Sequence, residues 1–285
     1  IIGDVPIFVA HDSADVWSHQ HLFKLDADGY STVVAGVPPD YFSTTGQLWG
    51  NPLYDWDAMA RDGYGWWIAR FRHLLQLVDL VRIDHFRGFE SAWEVPAGAD
   101  TAINGEWARG PGEAVFRAIG EALGGQPPVI AEDLGLITPE VRQLREATGF
   151  PGMKVLQFAF GGGADNPYLP HNFDDPNCVV YTGTHDNNTT RGWFATLPES
   201  TRAHVCRYVG GDDTCMSASL MRLALSSTAS TAIVPLQDVL DLGSEARLNT
   251  PGAAEGNWLW RVRPDQLDPD HADCLAGLTD LYGRT

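Results

Sequence analysis

The sequence has 285 residues, enough for one large α/β domain or two small ones with ample apolar material for a core. Its 37 Asp and Glu against 19 Lys and Arg give a formal net charge of −18, which argues against phosphate backbones and anionic membranes and favours a neutral substrate. The four cysteines (Cys178, Cys206, Cys215, Cys274) show no C-x-x-C spacing, so reduced thiols are expected, with Cys178 and Cys206 as packing residues.

No stretch approaches 18 uninterrupted apolar residues, and Asp4 falls too early in "IIGDVPIFVAHD" for a secretory hydrophobic region. The expectation is a soluble, cytoplasmic protein. Aromatic residues make up 11% of the chain; many belong in a core, but flat rings flanked by polar groups also suit the faces of pyranose sugars.

In chain order, "VPIFV" (5–9) predicts a first buried strand. Residues 11 to 55, containing "VAGVPPDYFSTTGQLWGNPLYDWD", form the longest non-regular stretch and have too many aromatics and prolines for simple disorder, so they predict a lid-like insertion covering substrate. Trp67, Phe71, Leu74, Leu75 and Val78 fall on one helical stripe. "LVRID" (80–84) reads as a strand. Val115, Phe116, Ile119, Ala122 and Leu123 mark a helix stopped by Gly124 and Gly125. "PVIAED" (128–133) is the next strand, and Thr138-Pro139-Glu140 opens a helix with an N-cap, a proline and an acid. Strands follow in "MKVLQFAF" (153–160), "CVVYTGTHD" (178–186) and "TAIVPLQD" (231–238), with helices over 199–209 and 215–226.

Strand and helix in alternation mean a parallel sheet, doubly wound or closed as a barrel. Asp84, Glu132 and Asp186 gather at strand ends, as in barrel enzymes. "GGGAD" (161–165) has neither the spacing nor the position of a dinucleotide loop. Six strands are visible where the familiar barrel has eight, so two are hidden or the barrel is incomplete.

Alternation in strand 80–84 puts Val81 and Ile83 on one face and Arg82 with Asp84 on the other, so the arginine can hold a nucleophilic carboxylate ionised. A structural ion pair fits the same pattern. Glu132 ends its strand in a half-apolar setting that suits a general acid, though a helix cap or a rim position also fits; Asp133 is the helper or structural acid. Asp186 ends "YTGTHD", where its bland alternative is assisting a helix N-cap. Two carboxyl groups about 5 Å apart across a glycosidic bond are what a retaining mechanism requires. Nine histidines show no H-E-x-x-H or other metal spacing and no G-x-S-x-G elbow occurs, so neither metal nor cofactor is expected. His11, His85 and His185 are read as donors to sugar hydroxyls, with a buried structural role equally open for His11.

Seven blocks in order, "GDVPIFVAHDSADVW", "VVAGVPPDYFSTTGQLWGNPLYDW", "LVRIDHFRGFE", "IAEDLGLITPEV", "GFPGMKVLQFAF", "YTGTHDNNT" and "PLQDVLDLGSEARLNTPG", resemble the amylomaltase family, bacterial 4-α-glucanotransferases also called disproportionating enzymes. The resemblance covers nearly the whole chain. It implies a retaining transferase acting on α-1,4-glucans and maltooligosaccharides, built on a (β/α)8 TIM-type barrel related to the α-amylases. It further implies that residues 1–285 form one partial catalytic domain holding strands three to eight, with the missing N-terminal part of the barrel as a partner. Asp84 then matches the nucleophile, Glu132 the acid/base and Asp186 the transition-state stabiliser. Arg82, His85 and His185 match supporting residues; Asp40, Tyr41, Gln47 and Trp49 match the substrate-covering loop; Asn257 and Trp258 in "GNWLWR" are weaker matches for sugar contact. Asn188 departs from the family's expected "THDND". An α-amylase-like hydrolase and an inactive α-glucan-binding piece are the rival readings.

Overall fold

The computed structural model of the chain describes residues 1–39, 43–135 and 137–284. It divides into two compact units, Ile1–Gly152 and Met153–Thr285. The first unit carries β1 (Ile2–Pro6), β2 (Val33–Val37), β3 (Gln47–Pro52), β4 (Leu80–Asp84), β5 (Ser91–Pro96), β6 (Glu106–Arg109) and β7 (Val129–Ala131). They build two sheets. One is parallel, ordered β1-β4-β7; the other is antiparallel, ordered β3-β2-β5-β6.

The parallel sheet explains the apolar runs of the sequence. Val81 and Ile83 of β4 are fully buried and share a core with Trp67 and Phe71 of helix Gly65–Leu74 and with Val115, Phe116 and Ile119 of helix Glu113–Leu123. The second helix ends at Gly124, whose φ of 79° is the left-handed conformation that a glycine adopts without a Cβ clash. The first helix stops at Leu74, while Leu75 and Val78 continue its stripe outside the helix and still pack partly buried on that core.

Two expectations need correction in this unit. The first strand is Ile2–Pro6 rather than 5–9: the chain leaves the ladder at Pro6, although Ile7, Phe8 and Val9 remain buried. Residues 11 to 55 are not a non-regular stretch. They contain helix Ala14–Ser18, capped by the Ser13 hydroxyl, and both β2 and β3. β2 pairs on one side with β3 and on the other with β5, partners that lie further along the chain and gave no local signal.

The second unit is built on β8 (Gly152–Val155), which starts at the dividing residue, β9 (Cys178–Tyr181) and β10 (Thr231–Ile233), in the order β10-β9-β8. Every residue of β9 is buried, as its unbroken apolar run predicts. Helices Glu199–Val209 and Met216–Leu225 lay Val205, Met216, Leu220 and Ala224 into a core with Cys178, Val180, Leu156 and Phe194. The strands here are shorter than their apolar runs. "MKVLQFAF" turns into a 3-10 helix at Leu156, and "TAIVPLQD" leaves the sheet after Ile233, ahead of Pro235. All four cysteines are free thiols. Among the described residues no helix is long and apolar enough to cross a membrane.

Phe89, fully buried, meets Phe116 at a ring-centroid distance of 4.8 Å, Trp67 at 5.1 Å and Trp56 at 5.9 Å, and anchors the turn that follows β4. Phe89→Ala is expected to cost about 3–5 kcal/mol through lost burial and a cavity, read as a lower urea midpoint at an unchanged m-value.

Candidate active site

Three acids and one guanidinium meet at the end of the parallel sheet in the first unit. Arg82 and Asp84, two residues apart on one face of β4, are joined by a 3.1 Å ion pair. Arg82 also donates through Nη1 to both carboxylate oxygens of Asp4, at 2.6 and 2.7 Å. β1 pairs with β4 so that Asp4 lies opposite Arg82, and a buried guanidinium thus gains a second acidic partner. Burial opposes the positive charge on Arg82, but Asp4, Asp84 and Glu132 outweigh it and its pKa is raised. Asp4 escaped the sequence reading as a site residue. Its signal was the parity it shares with Arg82, visible only once β1 is known to pair in that register.

Glu132 follows β7 directly, beside the end of β4, where Ile83 pairs with Ala131. Its Oε2 accepts from the His85 N–H at 2.7 Å and its Oε1 from the Leu134 N–H at 2.9 Å. Desolvation pushes its pKa up to about 7, and the Asp84 charge adds to that; Arg82 and the two backbone donors pull the other way without winning. His85 takes a left-handed backbone, φ 55°, which aims its N–H at Glu132. The packing around its imidazole lowers that pKa to about 3, helped by the nearby Arg87, although part of the side chain still reaches solvent. His85 is therefore neutral at pH 7. Asp133 is structural: it pairs with Arg145 at 3.2 Å.

The predicted lid contributes to this same unit. Trp49 of β3 sets its ring edge-on to His85, centroids 4.7 Å apart, and its Nε1 donates to Gln47 Oε1 at 3.2 Å. The Phe8 ring lies 6.4 Å from that of His85, centroid to centroid. Asp40 and Tyr41 lie outside the described residues. His11 is exposed, bonded to the Gly29 carbonyl and stacked with Tyr30, which removes the buried role left open for it.

Asp186 belongs to the second unit, in the turn after β9. His185 Nε2 lies 3.3 Å from its Oδ2, and Asn249 Nδ2 donates to its Oδ1 at 2.6 Å. Arg247 donates to the Asp186 carbonyl at 2.7 Å. Trp258, with a left-handed φ of 62°, lays its ring 5.4 Å from that of His185. Asn257 staples its loop, accepting from Thr250 N–H and donating to the Ala253 carbonyl. Asn188, the departure noted in the sequence, donates to Ser244 at 2.8 Å. The whole turn is held by Asp238, 1% exposed, which accepts from the Thr182 hydroxyl before the turn and from both the backbone and hydroxyl of Thr190 after it. Asp238, Arg247 and Asn249 were not foreseen: "PLQD" reads as a strand end, and nothing local marks the acid in it as buried.

A carboxyl group that keeps its proton near neutrality beside an ion-paired carboxylate can serve acid and base roles in turn, while the carboxylate serves as nucleophile. Residues 1–267 match the family described as 4-alpha-glucanotransferase. The chain is 56% identical over 288 residues to the 4-alpha-glucanotransferase of Synechocystis and 54% identical over 291 residues to that of Thermus thermophilus, covering all of this chain and 57% and 58% of those proteins. Amylomaltase from Streptococcus agalactiae, solved in complex with acarbose, superposes with a TM-score of 0.94 at 39% identity, covering 99% of this chain and 57% of that one. The chain belongs to the 4-alpha-glucanotransferase family of glycoside hydrolases, and it spans a little over half the length of these relatives.

The raised pKa of Glu132 has a sign that can be measured. The folded protein retains a proton that the unfolded chain releases from about pH 4.5, so this residue costs stability as pH rises from there to about 7 and a constant amount above. In thermal melts across that range, the difference in Tm between Glu132→Gln and the parent should move steadily in favour of the variant and then level off. A difference that stays flat with pH contradicts the assignment.

Proposed function

We propose that the protein is a 4-α-glucanotransferase that moves α-1,4-glucan segments between maltooligosaccharides by a retaining double displacement. The observation that carries this reading is the placement of Glu132, fixed by two backbone donors, beside Asp84 at adjacent strand ends, with burial raising its pKa. The family membership and the acarbose complex of the streptococcal amylomaltase support an α-glucan as substrate. The same likeness supports reading the parallel strands as part of a (β/α)8 barrel.

In the proposed reaction Glu132, protonated, donates to the glycosidic oxygen while the Asp84 carboxylate attacks the anomeric carbon. The bond to the leaving glucan breaks and a β-linked glucosyl ester forms. Asp186 supplies negative charge to the oxocarbenium-like transition state, with His85, His185 and Arg82 as sugar-binding or supporting groups. Glu132, now ionised, removes the proton from the 4-hydroxyl of a second glucan, whose oxygen displaces Asp84 and restores the α linkage. A neutral His85 offers a hydrogen bond without adding a second cation to the pocket.

Transfer in place of hydrolysis requires that a sugar hydroxyl be better oriented than water. We assign that task to the segment ending in Gln47 and Trp49, with Asp40 and Tyr41 as further members, and give Trp258 and Asn257 the weaker role of outer sugar contacts.

Incubation of the protein as encoded with maltotriose should give glucose together with longer maltooligosaccharides, with little gain in reducing ends. Gain of reducing ends without longer products would make it a hydrolase, and binding without turnover an inert glucan binder. Asp84→Asn should lower kcat by about a thousandfold or more while leaving the fold intact by circular dichroism. In the parent, kcat/KM should fall on the alkaline side with an apparent pKa near 7, that of Glu132.

A further inference from the structure

Asp186 is half-buried, and a carboxylate in that setting is free to rotate about two torsions unless its oxygens are held. Each oxygen has its own neighbour: His185 Nε2 stands at 3.3 Å from Oδ2, and Asn249 Nδ2 at 2.6 Å from Oδ1. Because a carboxylate only accepts, the amide nitrogen of Asn249 must be the donor. Asn249 is itself fixed from both ends of its backbone. Its N–H donates to the His185 carbonyl at 3.2 Å, and its carbonyl accepts from Arg247 Nε at 2.8 Å. Arg247 then reaches the Asp186 carbonyl through Nη2 at 2.7 Å. The result is a closed ring of hydrogen bonds running from Asp186 through Arg247 and Asn249 to His185. Beyond it, the Trp258 N–H donates to the Leu248 carbonyl at 2.7 Å, tying the next stretch of the loop to the same segment.

We propose that Asn249, braced by Arg247, is the positioning residue that sets the direction of the Asp186 carboxylate. The inference rests on the reading of Asp186 as the charge facing the oxocarbenium-like sugar. The chemistry of the partner matters. A lysine or arginine at position 249 would orient the carboxylate equally well but would neutralise the negative charge that the transition state needs. A carboxamide supplies a directed hydrogen bond and leaves the net charge in place. Arg247 donates to two backbone carbonyls, those of Asn249 and Asp186, and so braces the main chain on both sides of the carboxylate.

The test is a double-mutant cycle on the protein as encoded, with maltotriose as substrate. Asn249→Ala should lower kcat by about 10- to 100-fold, the penalty of a slightly misaimed group, with KM changed less than about threefold and Tm held within a few degrees. In the Asp186→Asn background the same substitution should change kcat by less than about twofold, since the group it directs is gone. Should Asn249→Ala fail to fold, Asn249→Asp keeps the shape, removes the donor and enters the same cycle. Equal losses from Asn249→Ala in both backgrounds, or a loss confined to KM, overturn the inference while leaving Asp186 in its role. An Asp186→Asn variant that turns over like the parent instead overturns the role itself.

Discussion

Arg82 lies buried between Asp4 and Asp84, with Glu132 at the end of the neighbouring strand, so one buried cation faces three acids, two of them open to solvent. Ionising Glu132 is opposed first by its burial and second by the nearby Asp84 carboxylate. The proton therefore stays on Glu132 up to about pH 7, long after an ordinary glutamate has lost its own. Burial first, and the neighbouring Asp84 charge second, set Glu132 apart from an ordinary carboxyl, against the pull of Arg82.

The fold serves that arrangement by fixing backbone before side chain. β4 is the middle strand of its sheet, and its ladder continues past the last strand residue: the Glu132 N–H donates to the Ile83 carbonyl and the Phe86 N–H to the Glu132 carbonyl. Between these bonds His85 is forced into a left-handed turn, with its N–H directed at Glu132. Such a conformation costs of order 1 kcal/mol in a residue with a Cβ. Phe86 and Phe89, both fully buried just beyond it, supply the packing that holds the turn.

How much of this was legible depends on the range of the signal. The β4 alternation was readable because burial of Val81 and Ile83 on one face and charge on Arg82 and Asp84 on the other sit within five consecutive residues. The apolar stretch around Ile7 to Val9 was misread as strand because hydrophobicity reports burial. Those residues are buried as irregular chain, held by the Tyr54 hydroxyl donating to the Ile7 carbonyl at 2.6 Å and by Asn51 donating to the Val9 carbonyl at 3.0 Å. Asp4, Asp238 and Asn249 were invisible for a different reason. Each acts on a partner between 48 and 78 positions away in the chain, and a polar residue whose partner is distant looks like any surface residue until the register of strands or the path of a loop is known. The antiparallel sheet was missed likewise, since β2 finds its partners through β3 and β5 and its own five residues include a glycine.

The two clusters treat their acids in opposite ways, and the proposed reaction gives a reason for each. In the proposed reaction Asp84 must be an anion held in place yet stay nucleophilic. A cation satisfies the first need and threatens the second, because an ion-paired oxygen is a poorer nucleophile. Sharing the guanidinium moderates the threat: Arg82 gives two hydrogen bonds to Asp4 and reaches Asp84 with its other amino group. The value of Asp186 in the proposed reaction lies in the field it projects. Neutral carboxamide donation from Asn249 aims that field without diminishing it, while the buried carboxylate of Asp238 pins both ends of the turn through hydroxyl and amide groups alone. Asp84 is thus held by a guanidinium it shares with Asp4, and Asp186 is aimed by a carboxamide, each arrangement suiting the role the proposed reaction gives its acid.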